Sequence, residues 1–270
     1  MDTAISKRTK VDSTEDGRHQ NIARATFALD ALAAAGQTGL RLTDVTRITG
    51  LSKTVAHRCL AGLVAHSLAV YEPDNGRFFL GDRILAWVTQ AQERFDLAER
   101  VKPHLRRLAD KLTDTIYFLV RRGDEAICYG RAEGSFPIKT LTLNVGDRRP
   151  LGVGSGPLGI AAFLPDTEVE RLIAQHSAAR EKFRFSDDML RSEIAQARKV
   201  GYSHMEGHLI KGMSGVGVPI RNESGIPVAS MTVAAITPRL EPPRRLEVVA
   251  RLKSEAALLE TELRLLLGKL

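Results

Sequence analysis

Hydrophobic positions along the chain change period several times, and each change marks an element. Ile22, Phe27, Leu29 and Leu32 sit at spacings that suit one face of a helix ending near Ala35, and Gly36 supplies the stop. In the next stretch, LRLTDVTRITG, Thr43 is placed to cap a short helix carrying Val45 and Ile48, which Gly50 ends. Ser52 then caps a third helix over 52–66, where Val55, Cys59, Leu60, Leu63 and Val64 recur at helical spacing. The following LAVYEPDNGRFFLG reads as two short strands around Asp74-Asn75-Gly76, an Asn-Gly hairpin turn. Residues 1–20 mix charged and small polar side chains without a period and are expected to form a disordered tail.

Residues 82–100 return to a helical period, with Ile84, Leu85, Trp87, Val88 and Phe95 apolar, and predict a linker helix that could serve as a dimer seam. Pro103 suits the first turn of a new helix, KPHLRRLADKL. The period then drops to two. TIYFLV (115–120), AICYGRAE after a tight turn, and IKTLTLNVG predict three strands. Helices are expected near 154–164, 166–177 and 187–200, and strands around 202–210, 214–220 and 227–236, with RNESG turning between the last two. A Leu-rich helix over 243–268 closes the chain. The division is therefore a head over 21–81, a linker helix over 82–100, and an α+β domain over 101–270.

Composition narrows the function only a little. No apolar run is long enough to span a bilayer, so no membrane partner is expected, and the first twenty residues lack the apolar core of a signal peptide. Cys59 and Cys128 supply neither a disulfide framework nor a zinc quartet, so a reduced, cytoplasmic setting is expected. The net charge of +7 permits a polyanionic partner, yet residues 1–83 hold 11 Lys/Arg against 9 Asp/Glu. The informative feature is local: residues 41–66 carry Arg41, Arg47, Lys53 and Arg58 against Asp44 alone.

Helix, short helix, glycine turn, basic helix and hairpin make the order of a winged helix-turn-helix. In that arrangement the first turns of the second helix enter a DNA major groove, which points to Ser52, Lys53, Thr54, His57 and Arg58. Thr43 and Arg47 on the preceding helix join them as DNA-binding candidates, and Arg77 at the wing would meet a phosphate or the minor groove. The plainer alternative is a solvated basic face, with His57 a packed or surface histidine.

Three segments together resemble the IclR-type bacterial transcriptional regulators: LSKTVAHRCLAGLVAHSLAVYEPDNGRFFLGDRIL in the head, and VGDRRPLGVGSGPLGIAAFLP and GMSGVGVPIRNESGIPVASMTVAAI in the body. The resemblance runs from about residue 20 to 265, with the segments in the family's order. It implies an N-terminal winged helix-turn-helix, a linker helix, and a C-terminal α+β effector domain resembling a GAF/PAS-type sensor. It further implies a double-stranded DNA operator bound as a homodimer or homotetramer, and a small-molecule effector, often an organic or aromatic acid.

The body holds three motifs that invite other readings. GSGPLG (154–159) matches a dinucleotide fingerprint, but GDRRPLGV precedes it where a buried strand should run. Its glycines equally free a loop for close approach to a ligand, or serve a tight turn alone. The helix start beyond them would favour an anion such as a carboxylate beside Ser155. The family places its effector pocket near this loop, so Leu151, Gly152, Val153, Gly154 and Ser155 are candidates. In HMEGH, a strand would put His204, Glu206 and His208 on one face, a possible metal grip without an assured third nitrogen or thiolate, so no metal is expected. The resemblance instead implies an acidic residue facing the effector here, with Glu206 the nearest candidate and Met205 at that place in another register. Ser155 lies in VGSGP, which fails the spacing of a nucleophile elbow, so no catalytic residue or cofactor is expected. Ser214, Gly215, Val216, Ser230 and Thr232 are read as effector-pocket lining, since small and hydroxyl side chains leave space and hydrogen bonds. An enzyme built on the α+β domain is the competing class, and a domain that only oligomerises is a third.

Overall fold

The computed structural model describes residues 20–267, and the chain divides into two units between Arg94 and Phe95. The tail expected over 1–20 lies outside the described residues, apart from Gln20. Side chains of 89–96, and so the expected apolar role of Phe95, also lie outside them. No described helix is long and apolar enough to cross a membrane.

The first unit opens with helix α1 (Gln20–Ala35), followed by a short 3₁₀ turn over Gly36–Thr38. Its buried stripe is Ala28, Ala31 and Leu32, whereas Ile22 is exposed and Phe27 only partly covered. Helix α2 (Leu42–Thr49) starts one residue before the position expected of its cap. Arg41 is the N-cap and its amide donates to Asp44 Oδ2 at 3.1 Å, so Thr43 lies inside the first turn and does not cap. Gly50 closes α2 in the left-handed region, φ 72°, where a side chain would be strained. Ser52 then caps α3 (Lys53–Ala65), its hydroxyl accepting the Val55 amide at 3.4 Å. Ala56, Leu60 and Leu63 form the buried side of α3 and meet Ala28, Leu32, Val45 and Ala69 in a small core.

Strands β1 (Ala69–Glu72) and β2 (Arg77–Leu80) pair antiparallel, with Glu72 opposite Arg77. The wing loop is therefore four residues, Pro73 to Gly76, and not a two-residue Asn-Gly turn. Asn75 shapes it from inside: its carbonyl accepts the Arg77 amide at 2.9 Å and its amide donates to Glu72 at 2.7 Å. Leu40 adds a bridge to Phe78, so the wing is anchored on the segment before α2.

Helix α4 (Asp82–Leu112) contains Pro103, which opens no new helix as the sequence had suggested. In the second unit its residues from Leu97 to Leu112 pack on a six-stranded antiparallel sheet, in the order β5-β4-β3-β8-β7-β6. The strands are β3 (Thr115–Arg122), β4 (Glu125–Glu133), β5 (Arg148–Pro150), β6 (Ser203–Glu206), β7 (Met213–Arg221) and β8 (Pro227–Ile236). The period-two stretch 138–146 is not a strand. β5 pairs with Glu125–Ile127 of β4, Gly146 and Asp147 bond to Cys128, and the rest of the stretch loops over the sheet with Thr140 and Thr142 held by the Tyr117 hydroxyl.

Alternation along the strands splits the core in two. Ile116, Phe118, Val120, Val216, Val218, Met231 and Val233 face α4 together with α9 (Arg244–Glu262) and α10 (Arg264–Leu267), into which the expected closing helix is divided. Buried His104 of α4 reaches Glu255 at 2.7 Å and Glu262 at 3.1 Å, tying α4 to α9. The opposite face, with Tyr117, Leu119 and Ala234, shares its core with α5 (Ser155–Ala161), α6 (Asp166–Gln175) and α8 (Asp187–Val200), and the short α7 (Ser177–Glu181) connects the last two. Helix α8 follows from its ends. Ser186 caps it, Asp187 and Asp188 sit at the positive end of its dipole, Arg198 and Lys199 at the negative end, and Gly201 stops it with φ 77°. The architecture is an N-terminal winged helix-turn-helix followed by an α+β domain built on one antiparallel sheet.

Candidate functional site

In the first unit, Lys53, Thr54, His57 and Arg58 are all exposed, while Ala56 and Leu60 on the other side of α3 are fully buried. The pairs 53/57 and 54/58 are four apart, so the four side chains form one patch over the first turns of α3. Ser52 is exposed beside them, with its hydroxyl occupied by the cap. On α2, Thr43 is exposed and Arg47 lies 3.6 Å from Asp44 at the surface, a contact too exposed to hold it firmly. Arg77 differs from the expectation of a free wing-tip cation. Its Nη1 donates to the carbonyl oxygens of Thr38 at 2.9 Å and Gly39 at 3.0 Å, clamping β2 to the 3₁₀ turn. The charge-assisted bonds satisfy two carbonyls that the end of that turn would otherwise leave to water.

The second unit contains a cavity between α5, the loop over 134–147, and the turn after β6. It is lined among others by Leu119, Thr142, Arg149, Ser155, Met205 and His208, and its space for water-sized groups is about 60 Å³. Of the sequence candidates, Gly154, Ser155, Met205, Ser214, Gly215 and Thr232 come together there. A Cβ on Gly215 would collide with the Ser155 hydroxyl, so this glycine lets α5 press onto β7. Ser214 reaches only with part of itself, since its hydroxyl pairs with Thr237 at 2.8 Å.

The other candidates lie elsewhere, each for a geometric reason. Leu151 and Val153 are core residues, and a Cβ at Gly152 would meet Leu190. Val216 is turned by strand alternation toward α4 and α9. Ser230 lies on the α5 side but is fully buried, donating to the Gly156 carbonyl at 2.8 Å. Glu206 is exposed on the far side of β6, beside His204, Glu193 and Arg245 around a separate surface hollow. The register of β6 thus gives the cavity Met205 and no acid. His208 lies beyond the end of β6 and turns into the cavity wall, so His204, Glu206 and His208 do not share a face. Burial and the neighbouring Arg245 charge lower the His204 pKa.

Arg149, Tyr117 and Thr142 of the wall were not singled out from the sequence, and His208 was weighed there only as a metal ligand. Arg149 follows β4 through the edge strand β5, and its Nη2 donates to the Thr142 carbonyl at 3.0 Å. Desolvation lowers its pKa, though a guanidinium stays charged at any pH that a folded protein meets. The nearby Asp147 opposes this lowering. Burial raises the Tyr117 pKa and pushes the Cys128 thiol up to about 11. The His208 ring packs edge-on against Phe185, centroids 4.7 Å apart. Its Nε2 and the Thr232 hydroxyl are buried without a partner among the described residues, and each such orphan costs about 1–3 kcal/mol.

The glycines of GSGPLG follow a three-residue antiparallel edge strand and open a seven-residue helix. A dinucleotide turn needs a parallel βαβ unit, which is not formed here. Pro157 also lacks an amide, leaving Ser155 and Gly156 as the free donors at that helix start.

Residues 89–260 match the model of the bacterial transcriptional regulator IclR C-terminal family, and residues 22–73 that of the IclR helix-turn-helix domain. The chain belongs to the IclR family. Its relatives include the HTH-type transcriptional regulator XynR of Escherichia coli, 25% identical over 82% of this chain and 88% of that protein. Among solved structures, the Thermotoga maritima IclR superposes with a TM-score of 0.71 at 19% identity, covering 92% of this chain and 99% of that one. An IclR homologue from Microbacterium hydrocarbonoxydans, solved in complex with 4-hydroxybenzoate, gives 0.71 at 21% identity, covering 90% and 99%. As an IclR-family member the protein is a transcriptional regulator with a DNA-binding head and a C-terminal effector domain.

Proposed function

We propose that this IclR-family regulator reads a double-stranded operator with α3 and changes its operator affinity when a small carboxylate enters the cavity beside Arg149. Lys53 and Arg58 supply phosphate or guanine contacts, Thr54 and His57 face the groove, and Ser52, Thr43 and Arg47 set the helix pair on the backbone. A homodimer or homotetramer in the cytoplasm would present two heads to half-sites about 10 base pairs, or a multiple, apart. The domain acts by binding and carries no catalytic role.

The observation that carries the effector reading is Arg149. A partly buried cation in an otherwise largely apolar wall is costly to maintain and is matched best by an anion that arrives from outside. The seven-residue α5 with its two free amides is secondary to it.

Fluorescence anisotropy of the intact protein with its upstream intergenic DNA and a scrambled duplex, at two salt concentrations, tests the reading. A specific-to-random ratio that survives the higher salt is expected. A carboxylate should then shift operator affinity by a factor of about 5–150, the range of ordinary allosteric coupling. Arg149→Gln should bind operator normally and respond to no acid. Equal binding to both duplexes, or an undiminished response in Arg149→Gln, would overturn it.

A further inference from the structure

The six-stranded sheet has two edges, and the chain treats them differently. At one end β5 is only three residues long and carries Arg148 and Pro150, features that keep a strand edge from pairing with another chain. At the other end β6 runs through Ser203, His204, Met205 and Glu206 without a proline, and no described strand pairs with its outer side. Its register shows what that side presents. The Gly207 amide donates to the Met213 carbonyl at 2.8 Å, and Met205 and Ser203 follow at every second position, opposite Gly215 and Gly217. In an antiparallel ladder these three positions bond to β7, so the amides and carbonyls of His204 and Glu206 point away from the sheet. Among the described residues nothing bonds to those four groups.

The surface hollow beside this edge draws on both faces of the sheet. Glu193 comes from α8 on the α5 side, Arg245 from the start of α9 on the other, and His204 and Glu206 lie on the edge strand. Both signs of charge are present, yet none of Glu193, Glu206 and Arg245 makes an ion pair among the described residues. Arg245 Nη1 lies against the His204 ring, 3.1 Å from Nδ1, and its Nε is buried without a partner among the described residues. A row of outward backbone groups beside charged walls is what an added strand recognises.

We infer that the strand added is β6 of a second copy of this chain, laid antiparallel about a twofold axis at Met205. In that register His204 faces Glu206 of the partner subunit, and the reverse, which closes four backbone hydrogen bonds and sets two His–Glu pairs across the seam. A register centred on Glu206 would set like charges opposite each other, and one centred on His204 would leave Glu206 facing residue 202, outside the strand. Directly opposite residues share a face of the sheet, so the incoming carboxylate arrives on the side of Arg245, the cation that lacks one. The seam is separate from the apolar positions of the linker helix and from the cavity beside Arg149, and it requires neither reading.

Sedimentation equilibrium of the intact protein tests this. A proline at position 206 removes an amide that β7 does not use, so Glu206→Pro should keep its fold and sediment at half the wild-type mass. Glu206→Lys should weaken the same association step at least about tenfold, and serves where the proline variant fails to fold. Adding His204→Glu to Glu206→Lys reverses both charges and should restore it. Register is read separately with Met205→Cys, which the axis places opposite itself at about 4.5 Å between Cα atoms, within disulfide range. Oxidation should give a disulfide between two copies, mapped to position 205. Equal masses for the wild type and the folded variants, a double variant that recovers nothing, or no disulfide at position 205 would overturn the inference and leave the operator and effector readings standing. A wild type that sediments as a monomer would overturn both this seam and the paired heads.

Discussion

Replacing Arg149 by methionine separates what the guanidinium does for stability from what it does for a ligand. In the unliganded protein the side chain makes one charge-assisted bond, to the Thr142 carbonyl at 3.0 Å, worth about 1.5–3 kcal/mol. Against this stands the desolvation already visible in its lowered pKa, a cost that a methionine does not carry. The cavity opens to solvent, so water replaces Arg149 at the Thr142 carbonyl. The terms nearly cancel, so Tm should move by no more than about 2–4 °C, the shift that about 1 kcal/mol gives in a domain of this size. A ligand at a hundred times its Kd stabilises the wild type by about 2.7 kcal/mol, and Arg149→Met should lose that increment entirely. Scanning fluorimetry with and without a small carboxylate reads both quantities. A variant that melts well below the wild type, yet still shifts upward with acid, would show that Arg149 is a structural brace and that the anion sits elsewhere.

Arg58→Ala and Arg77→Ala should behave differently. Arg58 is exposed, so its loss should weaken operator binding and, if it meets only a phosphate, lower the salt slope by about one unit in an anisotropy titration. Arg77 clamps two carbonyls, so its loss should destabilise the head, read as faster amide exchange in β2 and the turn over Gly36–Thr38. Leu60 is fully buried in the small core of the first unit, and Leu60→Ala should cost about 2–5 kcal/mol. Operator binding should vanish while acid binding by the second unit persists in calorimetry. Asp124, held by Arg171 and then by His176, has its pKa lowered from 3.8 to about 2. A depressed carboxylate contributes stability above its unfolded pKa and loses it on protonation, so the wild type should lose this increment between about pH 4 and pH 2. Asp124→Asn should flatten Tm against pH in that window.

Elements with local causes were legible in the sequence. Helix α3 was announced by Ser52 and the spacing of Leu60 and Leu63, and α8 by its charges and Gly201. What failed depended on distant parts of the chain. The alternation of IKTLTLNVG suits a strand, but the distant Tyr117 hydroxyl holds the backbone of Thr140 and Thr142 as a loop. Pro103 suits a helix start, yet the flanking residues carry the helix through it. In the cavity, Met205 and Glu206 differ by one position, and pairing with β7 decides which faces in. Arg149 in GDRRP looks like a surface charge until the edge strand fixes where it points. Its unusual signal was two adjacent arginines directly before Pro150 and the glycine loop.

Strand β8 lies third from one edge of the sheet and fourth from the other, and it serves two cores at once. Thr232 and Ala234 belong to the cavity, while Met231 and Val233 press on the side that carries α4 and α9. The backbone between them is a single thickness of chain, so it behaves as a common axle: a pull on one row of side chains displaces the other. Any closure that drew Thr232 toward a bound ligand would be registered across the sheet by the packing of Leu105 and Leu108 on α4, the helix whose first residues lie in the head. On the proposed reading of the cavity, a signal from it would have one strand to cross.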